Sequence, residues 1–297
     1  RTEKELEELL DVPHPDDARP AYRAEIPENR LQAVRQGYRI AQQERRRLDL
    51  GTEPLRNPLD LLERQGVRIG PLEGVGEDAP DGVYFETDEL GPCVAVNPER
   101  DRWTGFRSAF TSAHEYAHWL LRDIQVEEFD FDRPADDLRE VRANVFAAAF
   151  LMPEEGLEEY FSEAGLLDDE DATIARLSPA DIVQAMDHFG ASREALLYRL
   201  QNAGFMDEET AEELRREAFS VTAVAEALDL TFRGAGPFGT RLRSLALRAW
   251  KKGLISTGRA AELLGLDLEE FRDRMAEIGE VQEVSAEETR LGAARER

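Results

Sequence analysis

The stretch SAHEYAHWLL, residues 112–121, holds two of the chain's four histidines. His114 and His118 stand four residues apart, and Glu115 directly follows the first. Around them Trp103, Phe106, Phe110, Ala113, Ala117 and Leu120 recur at three- and four-residue steps, the mark of one buried stripe on a helix. Asn97, Pro98 and Glu99 offer a cap, a first-position proline and an acidic first turn, so the helix is expected to begin there. At this spacing both imidazoles leave the same helix face.

Two rings so placed can reach one ion at roughly 2.0–2.1 Å. Glu115 is rotated about 100° from His114, given the helical repeat. That makes it a poor third ligand but a good group to take a proton from water beside the ion. This is the H-E-x-x-H arrangement of zinc peptidases. There, zinc makes water acidic and polarises the scissile carbonyl, and the carboxylate carries the proton to the leaving amine. A blander role for Glu115 is a capping box with Ser112, which a helix start near Asn97 speaks against.

The arrangement needs a third protein ligand and an open fourth position. No histidine follows at short spacing, so a carboxylate is expected. Glu140 is the best candidate. It opens a second helix, LREVRANVFAAAFLMP at 138–153, 26 residues after His114. The intervening length lets the two helices pack antiparallel. Asn144 lies four residues on and could buttress a ligand. Ala143, Ala147 and Ala148 allow close approach of helices. The competing role for Glu140 is a helix-start carboxylate favoured by the dipole.

Upstream, residues 1–20 read as a short acidic helix and a loop. Residues 26–48 read as a helix with a stripe through Leu31, Val34, Tyr38 and Ala41. Asn57, Pro58 and Gly66 bound a short helix, and VRI after it looks like a strand. GVYFE and CVAVN, joined by TDELGP, predict a β-hairpin. From Leu177 onward the pattern is helical. Residues 229–240 read as a linker, and the last ten or so look frayed.

The chain has 297 residues, 63 acidic against 37 basic, and a net charge of −26. Such a surface repels phosphate backbones, so general nucleic-acid binding is disfavoured. Cys93 is the single cysteine, which excludes an internal disulfide and suits a reducing, cytoplasmic setting. No run approaches the length of a membrane span. The chain opens on Arg1 rather than Met, which leaves room for an upstream domain.

EVRANVFAAAFLMP following SAHEYAHWLL resembles the ImmA/IrrE family of zinc metallopeptidases. VAVN before RSAFTSAHE strengthens the likeness, which covers roughly residues 55–205. Tyr116-Ala117 depart from the Leu-Gly common there, a small change at the second position. Ser108-Ala109 also depart, since the family often has an arginine nearer Phe110. The resemblance implies Zn2+ held by His114, His118 and Glu140, with Glu115 as catalytic base. It also implies a protein substrate: a DNA-binding helix-turn-helix repressor, cut to release stress, phage or mobile-element genes. The hairpin edge, GVYFE or CVAVN, could take a substrate segment as an added strand. The fold expected is α+β and mostly helical. It comprises a zincin-like core with a small hairpin or three-stranded sheet, plus a helical C-terminal domain. The boundaries read as 1–50, 51–204 and 205–297.

The other chemistry-bearing residues read more plainly. His14 is expected to be solvent-exposed, His188 a helix residue, and Cys93 a small buried one. The basic run RLRSLALRAWKKG at 241–253 reads as a solvated face. FGASREAL and LGLDLEEF both look like the turn and second helix of a helix-turn-helix. That supports an alternative: a non-catalytic regulatory or antitoxin-like protein whose C-terminal helices bind DNA or a partner.

Overall fold

The computed structural model describes residues 1–279 apart from 17, 24, 73–79, 98–105, 124–136, 169–171, 175 and 233–238. The expected helix start at residue 98 and Trp103 lie outside the described residues, as do most of the linker and the C-terminal end. The first half holds α1 (Thr2–Leu10), α2 (Arg30–Arg47), α3 (Leu59–Arg64), β1 (Arg68–Pro71), β2 (Gly82–Thr87), β3 (Gly91–Val96), α4 (Phe106–Leu121) and α5 (Leu138–Leu151). Helices follow: α6 (Glu154–Glu163), α7 (Pro179–Phe189), α8 (Arg193–Asn202), α9 (Glu208–Arg216), α10 (Val221–Ala227), α11 (Thr240–Lys251), α12 (Thr257–Leu264) and α13 (Leu268–Glu277). The chain is thus α+β, mostly helical, with one three-stranded sheet among the described residues.

The sheet runs β1-β3-β2, with β3 parallel to β1 and antiparallel to β2. β3 is internal, so CVAVN has no open edge for a further strand; GVYFE, on β2, has no second strand beside it among the described residues. β2 lies against α4, and the contact is tight. A Cβ on Gly82 would stand 2.3 Å from Thr111 Cγ2 and 3.4 Å from Glu115 Cγ. Only glycine lets the strand come this close to the helix carrying the histidines. Arg107 on α4 pairs with Asp81 at 2.8 Å, and the Asn97 amide donates to the Asp81 carbonyl, fixing the strand's start.

α4 and α5 pack on each other through a buried aromatic cluster. Tyr116 stacks on Trp119, and Phe146 on Phe150, each with centroids 5.0 Å apart. α2 crosses the other side of α5, where a Cβ on Gly37 would meet the Arg142 carbonyl at 2.7 Å. Of the α2 stripe expected from apolar spacing, Ala41 is buried and Val34 and Tyr38 are partly buried. Leu31 is exposed, and the buried face runs through Ala33, Gln36, Gly37, Ile40, Ala41, Glu44 and Arg45. Its polar members are satisfied by distant partners. Glu44 accepts from Tyr22, Arg47 and Tyr116, and Arg45 donates to the carbonyls of Gly51, Glu53 and Phe150.

α1 packs Leu6 and Leu10 against Leu242, Leu245, Ala246 and Ala249 of α11. α11 to α13 enclose a second small core of Trp250, Ala260, Ala261, Phe271 and Met275. His14 is not solvent-exposed. Its Nδ1 lies 2.8 Å from Glu7 Oε1 and its Nε2 3.2 Å from the Gly66 carbonyl. Among the described residues no helix is long and apolar enough to cross a membrane.

Candidate metal centre

α4 projects His114 and His118 from one face, and the first turn of α5 brings Glu140 opposite them. Asp137 caps α5 by accepting from the Arg139 amide at 2.9 Å, which starts the helix three residues before Glu140. His114 Nε2 lies 3.1 Å from His118 Nε2 and 2.9 Å from Glu140 Oε2. His118 Nε2 lies 3.4 Å from Glu140 Oε1. The His118 side chain is buried at 2% exposure, while His114 and Glu140 keep 15% and 20%. The cluster is therefore closed behind and open on the His114–Glu140 side.

The far nitrogens are also engaged. His114 Nδ1 lies 3.0 Å from Asn144 Oδ1, and His118 Nδ1 lies 3.4 Å from Asp123 Oδ2. Oxygens at both positions favour Nδ1–H donors, which turns the two Nε2 lone pairs and the carboxylate toward one another. Three acceptors facing each other need a cation between them. A tetrahedral ion with roughly 2.05 Å bonds holds its donor atoms about 3.3 Å apart, so these side chains fit one with shifts of a few tenths of an ångström. Without an ion, protons do this work. Burial opposes the charged form of His118, but hydrogen bonds to Asp123 and Glu140 outweigh it and hold its pKa up at about 9. Burial pushes the Glu140 carboxyl up, but hydrogen bonds from His114 and His118 take it well below the usual carboxylate range.

Glu115 is buried on the flank of α4 that faces β2, near Gly82, and is not one of the three converging residues. The capping-box role is ruled out. Ser112 sits mid-helix and donates to the Ser108 carbonyl at 2.7 Å. Asp123 was not singled out by the sequence. It stands just past the end of α4, with no periodic pattern to mark it. Its one local signal is its position, five residues after His118.

Glu3, Glu7 and His14 also lie together. Arg68 pairs with both glutamates at 2.8 and 2.7 Å, and Arg241 with Glu7 at 2.8 Å. Two guanidiniums already supply the countercharge there, so this is an ion-pair network joining α1, β1 and α11. His188 lies away from the cluster, stacked on Tyr160. Cys93 is buried in β3.

The fold and this cluster together define a metallopeptidase-like domain. Residues 62–201 match the Peptidase_M78 family, described as the IrrE N-terminal-like domain, which supports the likeness of this part of the chain to the ImmA/IrrE type. The match supports a metallopeptidase-type function and a protein as substrate. No curated protein and no solved structure matches the chain.

Proposed function

We propose that the chain is a zinc-dependent endopeptidase in which His114, His118 and Glu140 hold the ion and Glu115 is the catalytic base. The observation that carries this reading is the convergence of two imidazole nitrogens, 3.1 Å apart, on one carboxylate whose oxygens lie 2.9 and 3.4 Å from them. Zinc in such a site supplies Lewis acidity, which makes water a nucleophile near neutral pH and polarises a peptide carbonyl. Glu115, the neighbour of His114 on α4, would receive the water's proton and pass it to the departing amine. The open His114–Glu140 side gives substrate its approach.

Among the described residues β2 is the edge strand beside α4, so a substrate segment could pair with it as an added strand and run past Glu115. The net charge of −26 favours a basic partner, and a DNA-binding repressor is the substrate class proposed. The DNA-binding alternative is less well supported. α12 and α13 are joined by a tight turn at Gly265, but α13 carries Glu269, Glu270, Asp273 and Glu277 against only Arg272 and Arg274. A net-acidic second helix is a poor reader of a phosphate-lined groove.

The test is Glu115→Gln, incubated beside wild type with the repressor encoded nearest the gene and followed by fragment mass. The variant should keep one zinc per chain and lose cleavage by about 10²–10⁴-fold. Cleavage by Glu115→Gln at the wild-type rate would falsify the base assignment.

A further inference from the structure

Asp123 uses its two oxygens on two different partners. Oδ2 faces His118 Nδ1, and Oδ1 accepts from Arg142 Nη2 at 2.5 Å. Arg142 is 1% exposed. Its Nη1 donates to Gln36 Oε1 at 2.8 Å and to the Glu25 carbonyl at 3.2 Å. The guanidinium is therefore anchored on α2 and on the segment before it. Asp123 cannot itself be a ligand at the cluster, because it approaches the ring from the Nδ1 side, opposite Nε2.

We propose that Asp123 is the positioning residue for His118 and that Arg142 holds it in place. The proposal rests on the metal reading above. Its parts follow from elementary chemistry. A carboxylate behind Nδ1 fixes the proton there, leaves Nε2 free, and makes the ring a stronger donor. The ion pair with Arg142 occupies Oδ1 and so leaves Oδ2 for the imidazole. A fork-shaped guanidinium suits this, because it can satisfy Asp123, Gln36 and a carbonyl in fixed directions. The two histidines are thereby made unequal. His118 is backed by a charged oxygen in a buried place, whereas His114 is backed by the neutral amide of Asn144 near solvent. His118 becomes the rigid, electron-rich ligand. His114 becomes the softer one on the open side.

The direct test compares wild type with Asp123→Asn, which keeps the volume and removes the charge. Zinc affinity is read by competition with a chelating dye, and ligand field by the visible spectrum of the cobalt-loaded protein. Affinity should fall about 10–100-fold, with a shifted cobalt spectrum and unchanged far-ultraviolet circular dichroism. Unchanged affinity with an unchanged spectrum overturns the proposal. A wild-type chain that binds no divalent ion overturns the metal reading and this proposal together. A second measurement needs no variant. In ¹⁵N-histidine-labelled, zinc-loaded wild type, the His118 Nδ1–H proton should resonate well downfield of the His114 one. An Nδ1 of His118 that carries no proton overturns the assignment whatever the variant does.

Discussion

Tyr116 donates its hydroxyl to Glu44 across 2.5 Å, fastening the helix that carries both histidines to α2. Glu44 is fully buried and also accepts from Tyr22 at 2.6 Å and from Arg47. The bond crosses 72 residues of sequence. It is where this chain departs from the Leu-Gly pair of the family it resembles, and the departure has a structural use.

Tyr116→Phe removes one donor from a buried carboxylate while keeping the ring stack on Trp119. Stability should fall by about 1–3 kcal/mol, measured as a lower urea midpoint with an unchanged slope. Glu44→Ala takes the acceptor from the buried Tyr116 hydroxyl and from Tyr22 as well as from the exposed Arg47, and should cost more than Tyr116→Phe. Equal midpoints for wild type and both variants would show that the network is not what joins the helices.

The raised pKa of His118 gives metal binding a definite pH dependence. In the metal-free fold His118 is protonated up to about pH 9, because its hydrogen bonds to Asp123 and Glu140 outweigh burial. That protonated contact stabilises the metal-free fold fully below the unfolded value of 6.5, and the contribution fades as pH rises through about 9. Ion binding has the opposite sign, since a ligand must give up its proton. Zinc affinity should climb from pH 6 to about 9, and then flatten. Calorimetry in buffers of different ionisation enthalpy should detect proton release at pH 7. Affinity that is level across that range contradicts the assignment.

How much of this was legible in the sequence divides by distance along the chain. The His114–His118 pair and the second helix carrying Glu140 are local patterns, so spacing and residue type reveal them. The hairpin was readable for the same reason. The polar part of the α2 face is not legible, because Gln36 and Glu44 look solvent-facing until Arg142 and Tyr116 arrive from far along the chain. His14 looked like part of a loose tail, yet Glu7 and the Gly66 carbonyl enclose it. Polar residues buried by long-range partners leave no periodic signal, and here they surround the cluster.

Gly82 offers a test of the strand's role. Gly82→Ala puts a methyl against Thr111 Cγ2, and either β2 or α4 must yield. Cleavage should drop sharply while zinc binding persists, at a stability cost of about 1–3 kcal/mol. Adding Thr111→Ser removes the offending methyl, so the double variant should recover most of the lost cleavage. A double variant as impaired as the single one would mean that crowding is not the cause.

Cys93 should be inert in the folded protein. Burial pushes its thiol up to about 11, so little thiolate exists at pH 8. A chromogenic disulfide reagent should label it slowly in buffer and within minutes in guanidinium chloride. Rapid labelling of the native chain would mean that β3 opens readily.

The docking of α1 on α11 has a consequence for synthesis on the ribosome. Leu6 and Leu10 are made well before their cover, Leu242 to Ala249, which emerges more than 230 residues later. Until α11 is made, the amphipathic α1 lacks its native cover. Its acidic residues, Glu3 and Glu7, can meet Arg68 early, before Arg241 completes the network. That clasp would hold α1 beside β1 until α11 arrives to cover it.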